Sequence, residues 1–222
     1  MNRAILAVIA VIVILLVVRW FWSRKNKLTN LAPASEEQEI DSNSLANGSQ
    51  STNFAYSLWF YVDDWSYRYG EEKTILVRNE GEACPHIFLD PMENHLEVVI
   101  FDYNDTYNRC RIENVPLQKW VNLIVSVYNQ TLDLYLDGKL VKTCVLDGVP
   151  RLDASDDVYV TPDGGFSGWT SNIEYWDKAL NPQEAYNVYR KGNGTSGLGN
   201  LFKYGIRIQF VDDEEVKGSI EI

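Results

Sequence analysis

Two loops rich in acidic, amide and aromatic side chains are the parts of this sequence best equipped for chemistry. The first, FDYNDTYN at 101–108, places Asp102, Asn104 and Asp105 close together. Carboxylate and amide oxygens are the hard ligands that calcium prefers. The loop could therefore hold a calcium ion, although the same residue types also fill loops because they solvate well and stabilise turns. No other cofactor is expected.

Aromatic side chains accompany the acids in both loops. The first loop carries Tyr103 and Tyr107, and the second, DDWSYRYGEE at 63–72, carries Trp65, Tyr67 and Tyr69. An aromatic ring combines a large apolar face with, in Tyr and Trp, a polar edge that can form hydrogen bonds. These five residues are therefore candidate ligand-binding residues.

Motifs for enzymatic catalysis are missing from the sequence. It contains no GxSxG, no glycine-rich phosphate loop and no HExxH. His86 and His95 are the only histidines, and no CxxC occurs, so a zinc site is not indicated. We expect a protein that is not an enzyme.

The cysteines bear on the cellular compartment. Cys84, Cys110 and Cys144 are odd in number, so at least one thiol is unpaired within the chain. We expect three small, buried, hydrophobic side chains in a reducing compartment. Export of the domain would instead allow one disulfide.

The charge is strongly acidic outside the N-terminus. From Leu28 onward, 15 basic residues stand against 31 acidic ones, a formal net charge of −16. Such a surface repels nucleic acid and anionic lipid headgroups, and it favours basic protein partners or divalent cations. Nucleic-acid binding is therefore not expected.

The N-terminus has the composition of a membrane anchor. An apolar run begins at Ala4 and, with the Trp-Phe-Trp cluster, continues to Trp22, which gives about 28 Å of helix. That length spans a hydrocarbon core of about 30 Å if Arg19 extends to the headgroups. A cleaved signal peptide is the alternative, but no small-residue cleavage site follows the apolar run. We predict a single transmembrane helix at 4–22 whose interface residues are Arg19, Trp20, Trp22, Arg24 and Lys25.

Two signals disagree on the orientation of this anchor. The bases after the apolar run outnumber those before it, which places the C-terminal portion on the cytosolic face. Four N-x-[ST] sequons, whose glycosylation requires a lumenal or extracellular domain, oppose this orientation. They begin at Asn47, Asn104, Asn129 and Asn193. The expectation is cytosolic.

The chain after the anchor divides into three parts. Residues 28–53 are poor in large apolar side chains and predict a flexible tether. Residues 54–192 predict an antiparallel β-sandwich, because short alternating strands are separated by turn residues. The strands are expected at 54–62, 73–78, 86–90, 95–101, 109–115, 121–129, 131–137, 139–146 and 171–177. Residues 193–222 read as a glycine-rich spacer and a terminal β-hairpin around the turn DDEE.

One helix is predicted at 181–192. Asn181 can cap it, Pro182 suits the first helical position, and Glu184 completes a capping box. Gly192 ends it. Ala185, Val188 and Tyr189 form a narrow apolar stripe that can dock on the sandwich.

WVNLIVSVYNQTLDLYLDGKLVKTCVL at 120–146 resembles the core strands of the concanavalin A-like lectin/glucanase superfamily in its laminin-G-like form. The shared pattern is a strand opened by Trp120, a polar turn, a strand ending in Tyr-x-Asp-Gly-Lys at 135–139, and a return strand. FSGWTSNIEYWDKALNPQEAYNVYRKG at 166–192 is similar to the closing strand and helix of that family. The resemblance implies a concanavalin A-like jelly roll.

The resemblance implies two sorts of function. Enzymatic members resembling laminarinases carry Glu-x-Asp-x-(x)-Glu on one strand, a string that is absent here. Lectin-like members use Asp and Asn on loops to hold calcium beside sugar-binding aromatics. For this chain, that implies glycan binding at the two loops described above.

The combination of anchor, polar tether and laminin-G-like sandwich also resembles minor capsid (virion) proteins of large nucleocytoplasmic DNA viruses. The resemblance implies a structural role, linking an internal viral membrane to the capsid shell. Its partners would be the bilayer, through residues 4–22, and capsid or other structural proteins. This role is the leading expectation, and a glycan-binding adhesion module is the alternative.

Overall fold

The computed structural model describes Ile14, residues 26–45, 52–79 and 81–194, and the backbone of 207–212 and 215–221. Apart from Ile14, the predicted transmembrane segment lies outside the described residues, as do Arg19, Trp20, Trp22, Arg24 and Lys25. Within the described residues, no helix is long and apolar enough to cross a membrane.

The described chain folds into two six-stranded antiparallel sheets. The first sheet has the strand order β1 (Ala32–Pro33), β12 (Ser167–Trp176), β3 (Phe54–Asp64), β8 (Trp120–Tyr128), β9 (Thr131–Leu136) and β10 (Lys139–Val145). The second sheet has the order β2 (Gln38–Ile40), β11 (Val158–Val160), β4 (Lys73–Arg78), β5 (His86–Leu89), β6 (Leu96–Phe101) and β7 (Tyr107–Ile112). Short 3₁₀ helices occur at Ser42–Ser44 and Pro162–Gly164.

Side-chain alternation creates the core between the sheets. On β3, Phe54, Tyr56, Leu58, Phe60 and Val62 point inward and are fully buried. On the neighbouring β8, the same alternation buries the four side chains Val121, Leu123, Val125 and Val127. This period of two is the pattern from which the sandwich was predicted. The all-β, two-sheet prediction is confirmed.

The turn between β9 and β10 shows how local sequence sets the register. Asp137 and Gly138 both adopt positive φ, at 49° and 73°. A two-residue hairpin loop of this kind matches the right-handed twist of its strands, and Asp-Gly is among its preferred sequences. The turn pairs Lys139 with Leu136 and so begins the β9–β10 ladder.

The structure corrects the predicted tether. Residues 28–45 are not a free coil: β1 adds a strand to the first sheet and β2 adds one to the second. Ala34, Ile40 and Leu45 are buried in the core. These three buried apolar side chains, together with main-chain pairing, order a segment whose composition alone predicts flexibility. The remainder of the predicted tether is described only at 52–53.

The helix α1 (Pro182–Arg190) lies on the outer face of the first sheet. Asn181 Oδ1 accepts from the Glu184 backbone N–H at 2.9 Å, and Glu184 Oε2 accepts from the Asn181 N–H at 3.0 Å, which is the predicted capping box. Ala185 and Val188 are buried in a second cluster of apolar side chains. The other members of that cluster are Ala55, Ile124, Tyr135, Trp176 and Leu180.

A disulfide joins one edge strand of each sheet. Cys110 on β7 is bonded to Cys144 on β10, and Cys84 is a buried free thiol. The expectation of three reduced cysteines is therefore wrong for this pair. The pair lies close together because β7 and β10 are edge strands of facing sheets. Sequence spacing does not reveal this proximity.

The C-terminal hairpin is present as a separate two-stranded sheet. β13 (Arg207–Asp212) pairs antiparallel with β14 (Glu215–Glu221), as the sequence predicts.

Candidate ligand-binding cleft

The outer face of the first sheet is only partly covered by α1. Beyond the helix, aromatic side chains occupy matching positions on three adjacent strands. Trp169 on β12 is paired with Tyr61 on β3, and Tyr61 is paired with Trp120 on β8. Residues paired directly across antiparallel strands project from the same face of the sheet. The three rings therefore form one row across the sheet, here called the aromatic row.

The aromatic row and Leu31 line an open cleft of about 340 Å³. Trp169 is 44% exposed and Leu31 is 49% exposed, while Tyr61 and Trp120 are half-buried. The Tyr61 and Trp120 ring centroids lie 5.8 Å apart, with the two ring planes at 56° to each other. The volume falls in the range typical of small-molecule sites.

A glycine brings β12 against β3 beside the row. Gly168 has φ 151°, and a Cβ at this position would lie 1.8 Å from the carbonyl oxygen of Tyr61. Any other residue would force the two strands apart at this point. Gly168 therefore maintains the pairing that places the Trp169 ring beside the Tyr61 ring.

The adjacent row on the same face is rigid. Trp59 is paired with Asn122, which is fully buried. The Asn122 amide donates to Ser57 Oγ at 3.1 Å and to the Leu58 carbonyl at 3.2 Å. Its backbone N–H donates to Asp137 Oδ1 at 3.0 Å. The two amide bonds join β8 to β3, and the backbone bond joins β8 to the β9–β10 turn, so the neighbouring rings are held on a preorganised surface.

The predicted calcium loop has a different role in the structure. Asp102 is fully buried: its Oδ1 accepts from the backbone N–H groups of Asn104 and Thr106, and its Oδ2 accepts from Asn108 Nδ2. The Asn104 amide donates to the Asp147 carbonyl, and Asp105 forms an ion pair with Arg151. The three predicted ligands are thus engaged within the protein.

Among the described residues, no group of three His, Cys, Asp or Glu side chains could hold a metal ion. The calcium expectation finds no support in this loop. The pKa of the Asp102 carboxyl fits its structural role. Desolvation, the largest single influence, raises this pKa, but hydrogen bonds from Asn108, Thr106 and Asn104 together lower it below the ordinary value.

The predicted aromatic ligand-binding residues are separated by the structure. The strand register places the β3–β4 loop and the β6–β7 loop at opposite ends of the second sheet, because Lys73 aligns with Leu89 at one end and Phe101 with Tyr107 at the other. Trp65, Tyr67 and Tyr69 therefore lie far from Tyr103 and Tyr107.

These aromatics also differ in what they contact. Trp65 lines a cleft of about 520 Å³ and has Lys73 Nζ 4.9 Å from its ring centroid. Tyr103 lines a polar cleft of about 330 Å³. The hydroxyls of Tyr67 and Tyr107 donate to the Gly164 and Gly81 carbonyls. Tyr69 is exposed.

Sequence reasoning missed the aromatic row, although part of its signal is in the strand pattern. In FAYSLWFYV, the outward positions carry Trp59 and Tyr61, whereas a solvent-facing strand normally alternates to polar residues. Large outward aromatics therefore indicate that something covers or binds this face. The cross-strand alignment with Trp120 and Trp169 depends on register, which the sequence does not state.

Comparison with known proteins agrees with the fold. The family model described as the concanavalin A-like lectin/glucanases superfamily matches residues 35–185. No curated protein sequence matches the chain.

Solved structures share the architecture at low sequence identity. The botulinum neurotoxin serotype D ligand binding domain, in complex with N-acetylneuraminic acid, is 19% identical with a TM-score of 0.58; 73% of this chain aligns with 42% of that one. The serotype G binding domain is 16% identical with a TM-score of 0.58, over 74% and 42% of the two chains. This chain therefore spans only about two fifths of these relatives. At this identity, the similarity shows the fold alone.

Proposed function

The chain belongs to the concanavalin A-like lectin/glucanases superfamily, and from this premise we propose that it is a non-enzymatic, lectin-like protein that binds glycans in the cleft of the aromatic row. The observation that carries the proposal is the alignment of Trp169, Tyr61 and Trp120 on one sheet face, where they line an open cleft.

The geometry suits a saccharide. Neighbouring strands lie about 4.8 Å apart, so the three rings extend over roughly 10 Å. A pyranose has an apolar face of C–H groups that can lie on an aromatic ring, with hydroxyls at its edge that need polar partners. Asp63 lies two residues after Tyr61, at the end of β3, and is exposed. Its carboxylate can accept hydrogen bonds from sugar hydroxyls at this end of β3.

The charge of the chain favours neutral sugars. The portion from Leu28 onward carries 31 acidic and 15 basic residues, and a field of this sign repels anionic ligands. The serotype D neighbour is described in complex with N-acetylneuraminic acid, a charged sugar. For this chain we propose neutral oligosaccharides as the ligand class.

The test is a screen of the purified full chain against immobilised neutral and sialylated oligosaccharides, followed by titration of the hits. We expect Trp169→Ala to abolish or strongly weaken binding. Tyr186→Ala is the matched control, because Tyr186 on α1 is also an aromatic with 44% exposure but lies outside the row. The proposal is wrong if no neutral glycan binds, or if both variants bind like the parent chain.

A second candidate function is the structural role expected from the sequence, a membrane-anchored minor capsid component. The acidic charge favours it, because a net charge of −16 would complement a basic shell surface. Binding of the full chain to shell proteins should then fall steeply with added salt. It should also be unaffected by Trp169→Ala, which separates this role from glycan binding.

A further inference from the structure

We propose that Asn129 is an N-glycosylation site and that the sandwich therefore occupies an oxidising, lumenal or extracellular compartment. Asn129, Gln130 and Thr131 form a sequon at the turn between β8 and β9. The proposal goes beyond glycan binding by the cleft, because it concerns a glycan carried by the protein.

The folded structure presents Asn129 for modification. Asn129 is exposed at the tip of the hairpin with φ 51°, a conformation that Asn adopts readily. Its backbone N–H donates to Asn53 Oδ1 at 2.7 Å, which fixes the turn while the Asn129 side chain faces solvent. A glycan attached there would displace no packed group of the described chain.

Exposed apolar side chains beside Asn129 provide a surface for the attached sugar. Tyr128 pairs with Thr131, and Thr131 pairs with Val145, so the three lie on one face. Tyr128 is 61% exposed and Val145 is 81% exposed. The first sugars of a glycan on Asn129 can cover this otherwise exposed apolar surface.

The other described sequons are less suited to modification. The Asn104 amide donates to the Asp147 carbonyl and packs so closely that a Cβ on Gly148 would lie 2.7 Å from Asn104 Nδ2. Asn193 is half-buried, and its carbonyl accepts from Ser171 Oγ. Among the described sequons, Asn129 is therefore the one whose amide can carry a bulky group without repacking.

The disulfide is an independent observation for the same compartment. Disulfides persist where the environment is oxidising, and N-glycans are added in the same secretory route. The Cys110–Cys144 bond and the exposed sequon thus agree, and both oppose the cytosolic orientation expected from the flanking bases.

In the glycan transfer to the sequon, Asn129 Nδ2 forms a bond to C1 of the first sugar and loses a proton, while the C1–O bond to a lipid diphosphate donor breaks.

The modification would leave the cleft free. Trp120 begins β8 and Asn129 follows its last residue, so the two residues are separated by about 31 Å at 3.4 Å per residue. Failure of either proposal can therefore be recognised separately.

The test is translation of the full chain with endoplasmic-reticulum microsomes, followed by gel electrophoresis with and without endoglycosidase. We expect an endoglycosidase-sensitive mass increase that Asn129→Gln reduces by one glycan and Asn104→Gln leaves in place. Thr131→Ser should retain the glycan at Asn129 and Thr131→Val should remove it, because the sequon requires the hydroxyl.

Two results would overturn the proposal. One is a parent chain whose mass is unchanged by endoglycosidase. The other is an Asn129→Gln chain that carries as many glycans as the parent. Protection of the domain from added protease in intact vesicles is the expected companion result, and digestion of the glycan-free domain would place it on the cytosolic side.

Discussion

Trp59 on β3 and Tyr189 on α1 stack with their ring centroids 5.6 Å apart and their planes 20° apart. Two residues along β3 from Trp59, Tyr61 lines the open cleft. The stack thus marks the boundary at which a covered sheet face becomes an accessible one. Such a boundary leaves part of the outer face available for binding while α1 stabilises the rest.

Removing a second ring of the aromatic row should weaken glycan binding, because the sugar loses its contact with that ring. For Trp120→Ala we expect a loss of about 0.5–1.5 kcal/mol, or roughly 2- to 10-fold in Kd, by analogy with aromatic contacts. Titration calorimetry with a glycan found in the screen measures this loss. Tyr61→Phe retains the ring and should bind nearly as tightly as the parent. An unchanged Kd for Trp120→Ala would exclude this end of the row from the site.

Breaking the disulfide should destabilise the sandwich. Its cysteines are 34 residues apart in sequence, and closing a loop of this size restricts the unfolded chain, a contribution of about 2–4 kcal/mol. We expect Cys110→Ser to lower the free energy of unfolding by that amount in denaturant titrations. Adding reductant to the parent should have a similar effect.

Cys84→Ala provides the control for that experiment. It leaves the disulfide in place, so its stability should still fall when reductant is added, whereas that of Cys110→Ser should not. If the stability of the parent is the same with and without reductant, the bond does not contribute as described.

Asp102 should make stability depend on pH in the acidic range. Its folded-state pKa lies below the ordinary value of 3.8, so its carboxylate contributes stability that is present above this value. That contribution is lost as the pH falls through the folded-state pKa. Asp102→Asn should cost about 1–3 kcal/mol at neutral pH, because an amide NH₂ would face the Asn108 donor.

The Asp102 variant should approach the parent in stability as the pH is lowered, since the parent also loses its carboxylate. Unfolding measured by fluorescence from pH 7 down to pH 2 follows this convergence. Asp105→Asn is the control, because Asp105 forms an exposed ion pair that contributes at most about 1 kcal/mol. A parallel pair of stability curves for Asp102→Asn and the parent would contradict the prediction.

Removing the helix cap should loosen α1. Asn181→Ala loses the side-chain acceptor for the Glu184 N–H, and we expect a cost of about 1 kcal/mol. Hydrogen exchange of the helix amides should speed up, while exchange in β8 stays slow. Asn187→Ala, on the exposed face of the same helix, should be nearly neutral. Equal exchange rates in the two variants would argue against the cap.

The sequence predicts the longer strands well because each carries its own run of apolar residues bounded by turn residues. It fails for β1, β2 and β11, which are only two or three residues long. These strands exist because they pair with edges that the rest of the fold provides. Residues 28–45 carry too few apolar side chains to indicate that pairing, and so the segment resembles a tether when read alone.

The candidate site was harder to predict than the fold. The acidic and aromatic loops are predicted as ligand sites because their residue types match those of known ligand sites. In the structure, the Asp102 carboxylate instead accepts hydrogen bonds from its own loop. The rings of the aromatic row are 49 to 108 residues apart in sequence, at Tyr61, Trp120 and Trp169. Only strand order and register bring them together, and neither is encoded in any one segment.

The pairing of residues 26–28 with β12 has a mechanical consequence. Tyr175 donates its N–H to the Asn26 carbonyl, and Leu28 donates to the Ile173 carbonyl, at 2.9 and 2.7 Å. A force applied to the chain before Asn26 would therefore act directly on β12. From β12 it would pass to β3, with which β12 is paired in the first sheet. Because main-chain hydrogen bonds hold residues 26–28 against β12, the force would reach the sandwich without first extending an unpaired segment at 26–28.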